Sequence, residues 1–204
     1  MLGIEATLRA SGIHAIAGVD EAGRGSCAGP LVVAAVVLKN PNSATLVRVR
    51  DSKLLSEKVR DELFEVIKEE SACYLIIEIS PAEIDEIGLH KSNIEGMRRA
   101  VNLLAMTPEY VLTDGYAIEG LVIPNLAVWK GDRVAPSISA ASILAKVYRD
   151  RIMIEMDIKY PRYGFARHKG YVTATHIAAL KEFGATAIHR KSFSNVAALN
   201  VANP

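Results

Sequence analysis

A chain of 204 residues that is half hydrophobic can close one large core, so a single domain over residues 1–204 is expected. The longest apolar run, residues 27–38, contains Gly29 and Pro30 and is too short to span a bilayer. No basic segment followed by an apolar one opens the chain, so a cytoplasmic protein with no membrane partner is expected. The net charge of +1 argues against indiscriminate polyanion binding, and two cysteines without CxxC spacing argue against a zinc site or a disulfide framework. Charge is uneven, however. From Lys146 onward ten Lys/Arg face four Asp/Glu, a balance of +6, which leaves −5 on the rest. A basic C-terminal third beside an acidic remainder suits a phosphate-binding surface next to a metal-binding cluster, although a solvated helix face would have the same composition.

In chain order, residues 13–19 are short, apolar and β-prone and predict a strand ending at Asp20-Glu21. A glycine-rich turn, Gly23-Arg24-Gly25, follows, and the β-branched run 31–38 predicts the hairpin partner. Ser56, ahead of Val59, Leu63, Phe64 and Ile67, predicts a capped amphipathic helix, and residues 73–79 a third strand. Apolar residues recur at helical spacing over 81–104, with a break near Gly88, which predicts a helix or helix pair. Residues 110–113 predict a strand ending on Asp114-Gly115, and 120–128 another leading to Lys130-Gly131-Asp132. The longest helix is predicted over 137–160, with Ser139, Ala140, Ala141 and Ser142 small enough to pack closely on a sheet and Pro161 as its stop. Residues 173–183 predict a further helix, and 196–204 a short, loosely attached tail. Strands that cluster early and helices that alternate later predict an α/β fold, a mixed sheet flanked by helices.

Asp20, Glu21, Asp114 and Asp132 each fall at or just beyond the end of a predicted strand, where sheet-based folds collect ligand-binding groups. Any one of them alone reads as a turn or cap residue. Four together would repel and raise one another's pKa, which makes sense if a cation sits between them. An oxygen-only donor set without nearby His or Cys suits Mg2+ or Mn2+, and paired ions of that kind serve phosphodiester hydrolysis. Gly23-Arg24-Gly25 offers glycine amides for close approach and an arginine for phosphate, yet the strand that follows and the spacing to Gly29 do not fit a dinucleotide fingerprint.

The segments 19–25 (VDEAGRG), Asp51-Ser52-Lys53, Asp114-Gly115, Lys130-Gly131-Asp132, 139–146 (SAASILAK) and His168-Lys169-Gly170-Tyr171 together resemble the ribonuclease HII family, in its order and over about residues 13–193. The resemblance implies an RNase H-like fold on a mixed five-stranded sheet and a four-carboxylate site, catalytic and metal-binding, at Asp20, Glu21, Asp114 and Asp132. It also implies hydrolysis of RNA in RNA/DNA hybrids and incision 5′ to ribonucleotides embedded in duplex DNA, with 5′-phosphate and 3′-hydroxyl products. Gly23, Arg24 and Gly25 would read the ribose 2′-hydroxyl, and Tyr171 would stack on the deoxyribose beyond an RNA to DNA junction. Lys53, Lys146, Lys169 and Arg190 stand in family-like motifs and are expected to contact phosphate, while His168 could bind phosphate or cap its loop. Residues 88–92 give no clean family pattern. With no heptad repeat, a monomer is the expectation. Two alternatives stay open: another metal-dependent nuclease of the same kind of fold, one that resolves DNA junctions or acts only on long hybrids, and a non-catalytic hybrid-binding module using the basic third.

Overall fold

The computed structural model describes residues 3–46 and 55–200, so Lys53 and its Asp51-Ser52 neighbours lie outside the described residues. The strands β1 (Ile16–Ala22), β2 (Leu31–Leu38), β3 (Ser71–Ile79), β4 (Tyr110–Asp114) and β5 (Asn125–Val128) form one sheet in the order β3-β2-β1-β4-β5. β1 pairs antiparallel with β2 and parallel with β4, while β3 extends the antiparallel side and β5 the parallel side. This is the mixed five-stranded sheet that the resemblance implied.

All eight residues of β2 are buried because the sheet is covered on both faces. Side chains alternate along it with period two. Val32, Ala34 and Val36 meet Leu63, Phe64 and Ile67 of α2 (Glu57–Glu70) and the first half of α6 (Pro136–Lys159). Val33, Ala35 and Val37 meet Met97, Ala100 and Val101 of α4 (Leu89–Asn102). The same alternation on β1 sends Ala17 and Val19 toward α4 and sets Gly18, Asp20 and Ala22 on the α6 side.

α2 begins where expected, with Ser56 Oγ accepting from Val59 N. The predicted break at Gly88 separates α3 (Pro81–Ile87) from α4, the glycine taking φ 86°. α6 starts at Pro136, and its small residues lie against β1 and β2 as expected. Its N-terminus is capped from a distance: Glu5 on α1 (Ile4–Ala10) is buried, and its Oε1 accepts from Ser137 N at 2.8 Å and Ser137 Oγ at 2.6 Å. α8 (Ala174–Phe183) has Thr173 as its cap.

Three expectations need correction. β1 runs on to Ala22, so Asp20 and Glu21 lie within the strand rather than beyond it. The strand expected over 120–128 is only β5; Gly120 has φ 73°, Pro124 has no N–H to give a ladder, and Asn125 instead ties the loop to Ile118 through Oδ1 and Nδ2. The tail expected from 196 begins inside α9 (Ser194–Asn200), where Val196 is fully buried against Cys27 and Leu180. Two further short helices, α5 (Gly131–Val134) and α7 (Phe165–His168), fall in segments for which no element is predicted. Both cysteines are free and buried. Among the described residues no helix is long and apolar enough to cross a membrane.

The seat of α6 on β1 is closest at Gly18, where a Cβ would stand 2.1 Å from the Ser137 carbonyl carbon and 2.3 Å from Ile138 N. Both are backbone atoms, so no side chain can swing aside. Gly18→Ala is therefore expected to destabilise the fold by about 1–3 kcal/mol. That corresponds to a fall in melting temperature of roughly 2–4 °C per kcal/mol. An unchanged melting temperature would show that α6 does not rest on β1 at this point.

Candidate active site

A cleft of about 390 Å³ opens at the C-terminal end of β1 and β4. Asp20, Glu21 and Asp114 line it together with Gly23, Arg24, Gly25, Ser142, Lys146 and Tyr171. The structure thus gathers most of the residues that sequence pattern alone singled out. Parallel pairing of β1 with β4 is what brings Asp114 beside Asp20 and Glu21, since Val19 is in register with Thr113. Asp114 is anchored by a 2.8 Å bond that its Oδ1 accepts from Gly131 N. Asp132, the next residue, is not on the cleft wall; it is 2% exposed in α5, with its carbonyl accepting from Ser139 Oγ of α6.

Burial and crowding both act on these acids. Burial, then the charges of Glu21 and Asp114, push the Asp20 carboxyl well above the usual carboxylate range, against hydrogen bonds from Ser142 and the Glu21 amide. Burial pushes Glu21 up to about 7, with Asp114 adding to the rise and the Arg24 guanidinium opposing it. Glu21 Oε2 is buried without a hydrogen-bond partner among the described residues. Among those residues no three His, Cys, Asp or Glu side chains converge closely enough to hold an ion as they stand. The donor set nonetheless fits a hard divalent cation: all ligands are oxygens, one buried oxygen is unsatisfied, and the acids repel one another until a positive charge arrives.

The loop 23–30 is held by two buried arginines. Arg149 of α6, 1% exposed, donates to the carbonyls of Pro30 at 2.9 Å, Ala28 at 3.0 Å and Lys169 at 2.9 Å. Arg190 is fully buried and donates to the carbonyls of Gly29 and Arg24. Arg190 is therefore no phosphate contact, contrary to expectation. Its charge is spent on backbone carbonyls, and burial beside Arg149 lowers its pKa to about 9. Gly23 has φ 85°, and a Cβ there would meet the Arg149 guanidinium at 1.8 Å, so glycine is required on both counts. Tyr171 is 40% exposed, and its ring lies 5.7 Å from the Arg149 guanidinium. Arg24 lies over the Tyr116 ring at 4.7 Å.

Among the lysines, Lys146 reaches the cleft and pairs with Asp150 at 2.7 Å. Lys169 is outside the cleft wall, with Nζ on the Ala166 carbonyl and 3.6 Å from Glu57. His168, the last residue of α7, is no anion contact: it is buried, bonded to the Tyr163 carbonyl and the Gly170 amide. In the unclassified segment 88–92, His90 makes an edge contact with Tyr116 at 5.6 Å. Arg149 escaped sequence reasoning, although an arginine on the same α6 face as Ser142, Lys146 and the buried Met153 was a usable signal.

Because Glu21 holds its proton to about pH 7 when folded but only to about 4.5 when unfolded, the folded chain binds the extra proton between those values. Metal-free stability therefore falls as pH rises through that window, by up to about 3 kcal/mol. Glu21→Gln is expected to raise the melting temperature in chelator at pH 8 and to leave it unchanged at pH 4.5. A lower melting temperature for the variant at pH 8 would contradict the assigned repulsion and burial.

A sequence profile of the family described as Ribonuclease HII matches residues 17–196. The chain is 52% identical over 196 residues to a ribonuclease HII of Nocardioides sp., covering 96% of this chain and 82% of that one. It is also 52% identical to a ribonuclease HII of Rhodococcus erythropolis, covering 97% of this chain and 88% of that one. Its fold is similar to that of ribonuclease H2 from Pyrococcus horikoshii, with a TM-score of 0.80 at 29% identity, over 92% and 97% of the two chains. With β-sheet, cleft and carboxylates arranged as described, the chain belongs to the ribonuclease HII family, metal-dependent endoribonucleases that act on RNA/DNA hybrids.

Proposed function

We propose that this chain incises duplex DNA 5′ to embedded ribonucleotides, as well as cutting the RNA of longer hybrids, with Asp20, Glu21, Asp114 and Asp132 as the metal-binding and catalytic residues. The observation that carries the reading is the cleft itself, where three carboxylates share one wall with a glycine loop and an exposed tyrosine. These carboxylates would hold Mg2+ or Mn2+ ions, which would supply the positive charge for activating water and neutralising the leaving oxygen. Breaking the P–O3′ bond there leaves 5′-phosphate and 3′-hydroxyl ends.

The chain's own groups do the positioning. The Gly23 to Gly25 backbone, held by Arg190 on the Arg24 carbonyl and packed at Gly23 against Arg149, presents polar main-chain atoms to the 2′-hydroxyl that separates RNA from DNA. Arg24 and Lys146 stand on the cleft wall for phosphate. Tyr171 offers an exposed ring for the deoxyribose that follows the ribonucleotide, and a Cβ on Gly25 would come within 4.0 Å of that ring. The 2′-hydroxyl reader and the junction reader are therefore neighbours. The enzyme is proposed to act as a monomer.

Cleavage of a labelled DNA duplex with one ribonucleotide, beside an all-DNA duplex and a long RNA/DNA hybrid, tests this. Wild type with Mg2+ or Mn2+ is expected to nick 5′ to the ribonucleotide and to spare all-DNA, and Asp20→Asn to lose activity by at least about 100-fold. Tyr171→Ala is expected to weaken incision at the lone ribonucleotide by about tenfold more than cleavage within the hybrid, the scale of one lost stacking contact. Cutting of the all-DNA duplex, or equal losses on both substrates for Tyr171→Ala, would contradict the proposal.

A further inference from the structure

Behind Tyr171 lies a buried group of three histidines, His168, His176 and His189, packed with Tyr163 and Phe165. None of the three contacts a carboxylate among the described residues. A buried imidazole without an anion is a neutral imidazole, and its two nitrogens must then be one donor and one acceptor.

The hydrogen bonds decide which is which. A backbone N–H can only donate, and Thr186 N donates to His189 Nδ1 at 2.9 Å. His189 Nδ1 is therefore bare and its proton sits on Nε2, which donates to His176 Nε2 at 3.0 Å. That bond leaves the His176 proton on Nδ1, which donates to the Tyr171 carbonyl at 2.9 Å. The chain has one direction throughout, from Thr186 through two rings to Tyr171. His168 is set the same way: Gly170 N donates to its Nδ1 at 3.2 Å, and Nε2–H donates to the Tyr163 carbonyl at 2.8 Å. An added proton on His176 or His189 would bring two N–H groups face to face. Burial agrees with this, holding His189 down to about 4.

We propose that His176 and His189 are positioning residues for Tyr171, their one-way chain of neutral imidazoles fixing the tyrosine's backbone so that its ring keeps its place beside the Gly23 to Gly25 loop. The two flanks of Tyr171 are then anchored independently, with Arg149 on the Lys169 carbonyl before it and His176 on the tyrosine's own carbonyl. The role rests on the reading of Tyr171 as the junction contact, whereas the imidazole chain does not.

Two measurements separate them. In wild type with 15N-labelled histidine, NMR is expected to show His176 protonated at Nδ1 and His189 at Nε2; the opposite tautomer at either ring overturns the chain without reference to substrate. His189→Leu removes the donor to His176, whereas His189→Gln keeps an N–H at the Nε2 end. Incision at a single ribonucleotide, relative to cleavage of a long hybrid, is expected to fall about tenfold in His189→Leu and to recover to within about threefold of wild type in His189→Gln, as the loss and return of one hydrogen bond would give. Equal loss on both substrates, following the melting temperature of each variant, would reduce the histidines to packing and overturn the proposal. If wild type itself fails to incise at a single ribonucleotide, the junction reading of Tyr171 falls and takes the positioning role with it, while the tautomers still decide the imidazole chain.

Discussion

The constraint on which the site depends is that adjacent acids are fixed on a strand that cannot yield. β1 is the middle of the sheet, bonded to β2 on one side and β4 on the other, so its backbone has no slack. Asp20 is turned toward α6 and buried at 6% exposure, and Asp114 is brought alongside by the parallel register and tied to the Gly131 amide. Relaxation by moving apart is closed to them. What remains is to hold protons or to take up a cation, and burial first, then the neighbouring carboxylates, raise the pKa values of Asp20 and Glu21.

The loops around the acids have the opposite problem. Apart from the Ala28–His189 bridge, residues 23–30 and 169–171 are irregular, so buried carbonyls among them lack the regular ladder of a strand. Arg149 and Arg190 answer that need, Arg149 donating to Ala28 and Pro30 in one loop and Lys169 in the other, and Arg190 to Arg24 and Gly29. Burying two cations near each other is unfavourable, as the lowered pKa of Arg190 records. Three hydrogen bonds from each guanidinium offset that cost, and those of Arg149 join the two loops into one unit. Such a unit holds a glycine loop and a tyrosine at a set distance, which recognition of a ribose beside a deoxyribose requires.

Much of this architecture is legible in the order of residues alone. Apolar runs ending on acids locate β1 and β4, small residues from Ser139 to Ser142 identify the helix that sits closest to the sheet, and Gly88 marks the break between α3 and α4. What escapes depends on contacts that local pattern does not encode. Glu5 caps α6 from 132 residues away, Arg149 binds Pro30 across 119, and Arg190 binds Arg24 across 166. Read locally, Arg190 is a surface cation, and only the tertiary fold shows that carbonyls consume its charge. The short helices α1, α5 and α7 escape for a related reason: each is too brief for its periodicity to register, and none is capped by its own side chains.

If the carboxylates of the cleft are a cation site, metal should bind to the protein alone, without nucleic acid. Isothermal titration of Mn2+ into the chelator-treated protein and into Asp20→Asn tests this most directly. The account predicts saturable binding to wild type that is lost or sharply weakened in the variant. Equal binding by both, or none by wild type, would contradict it.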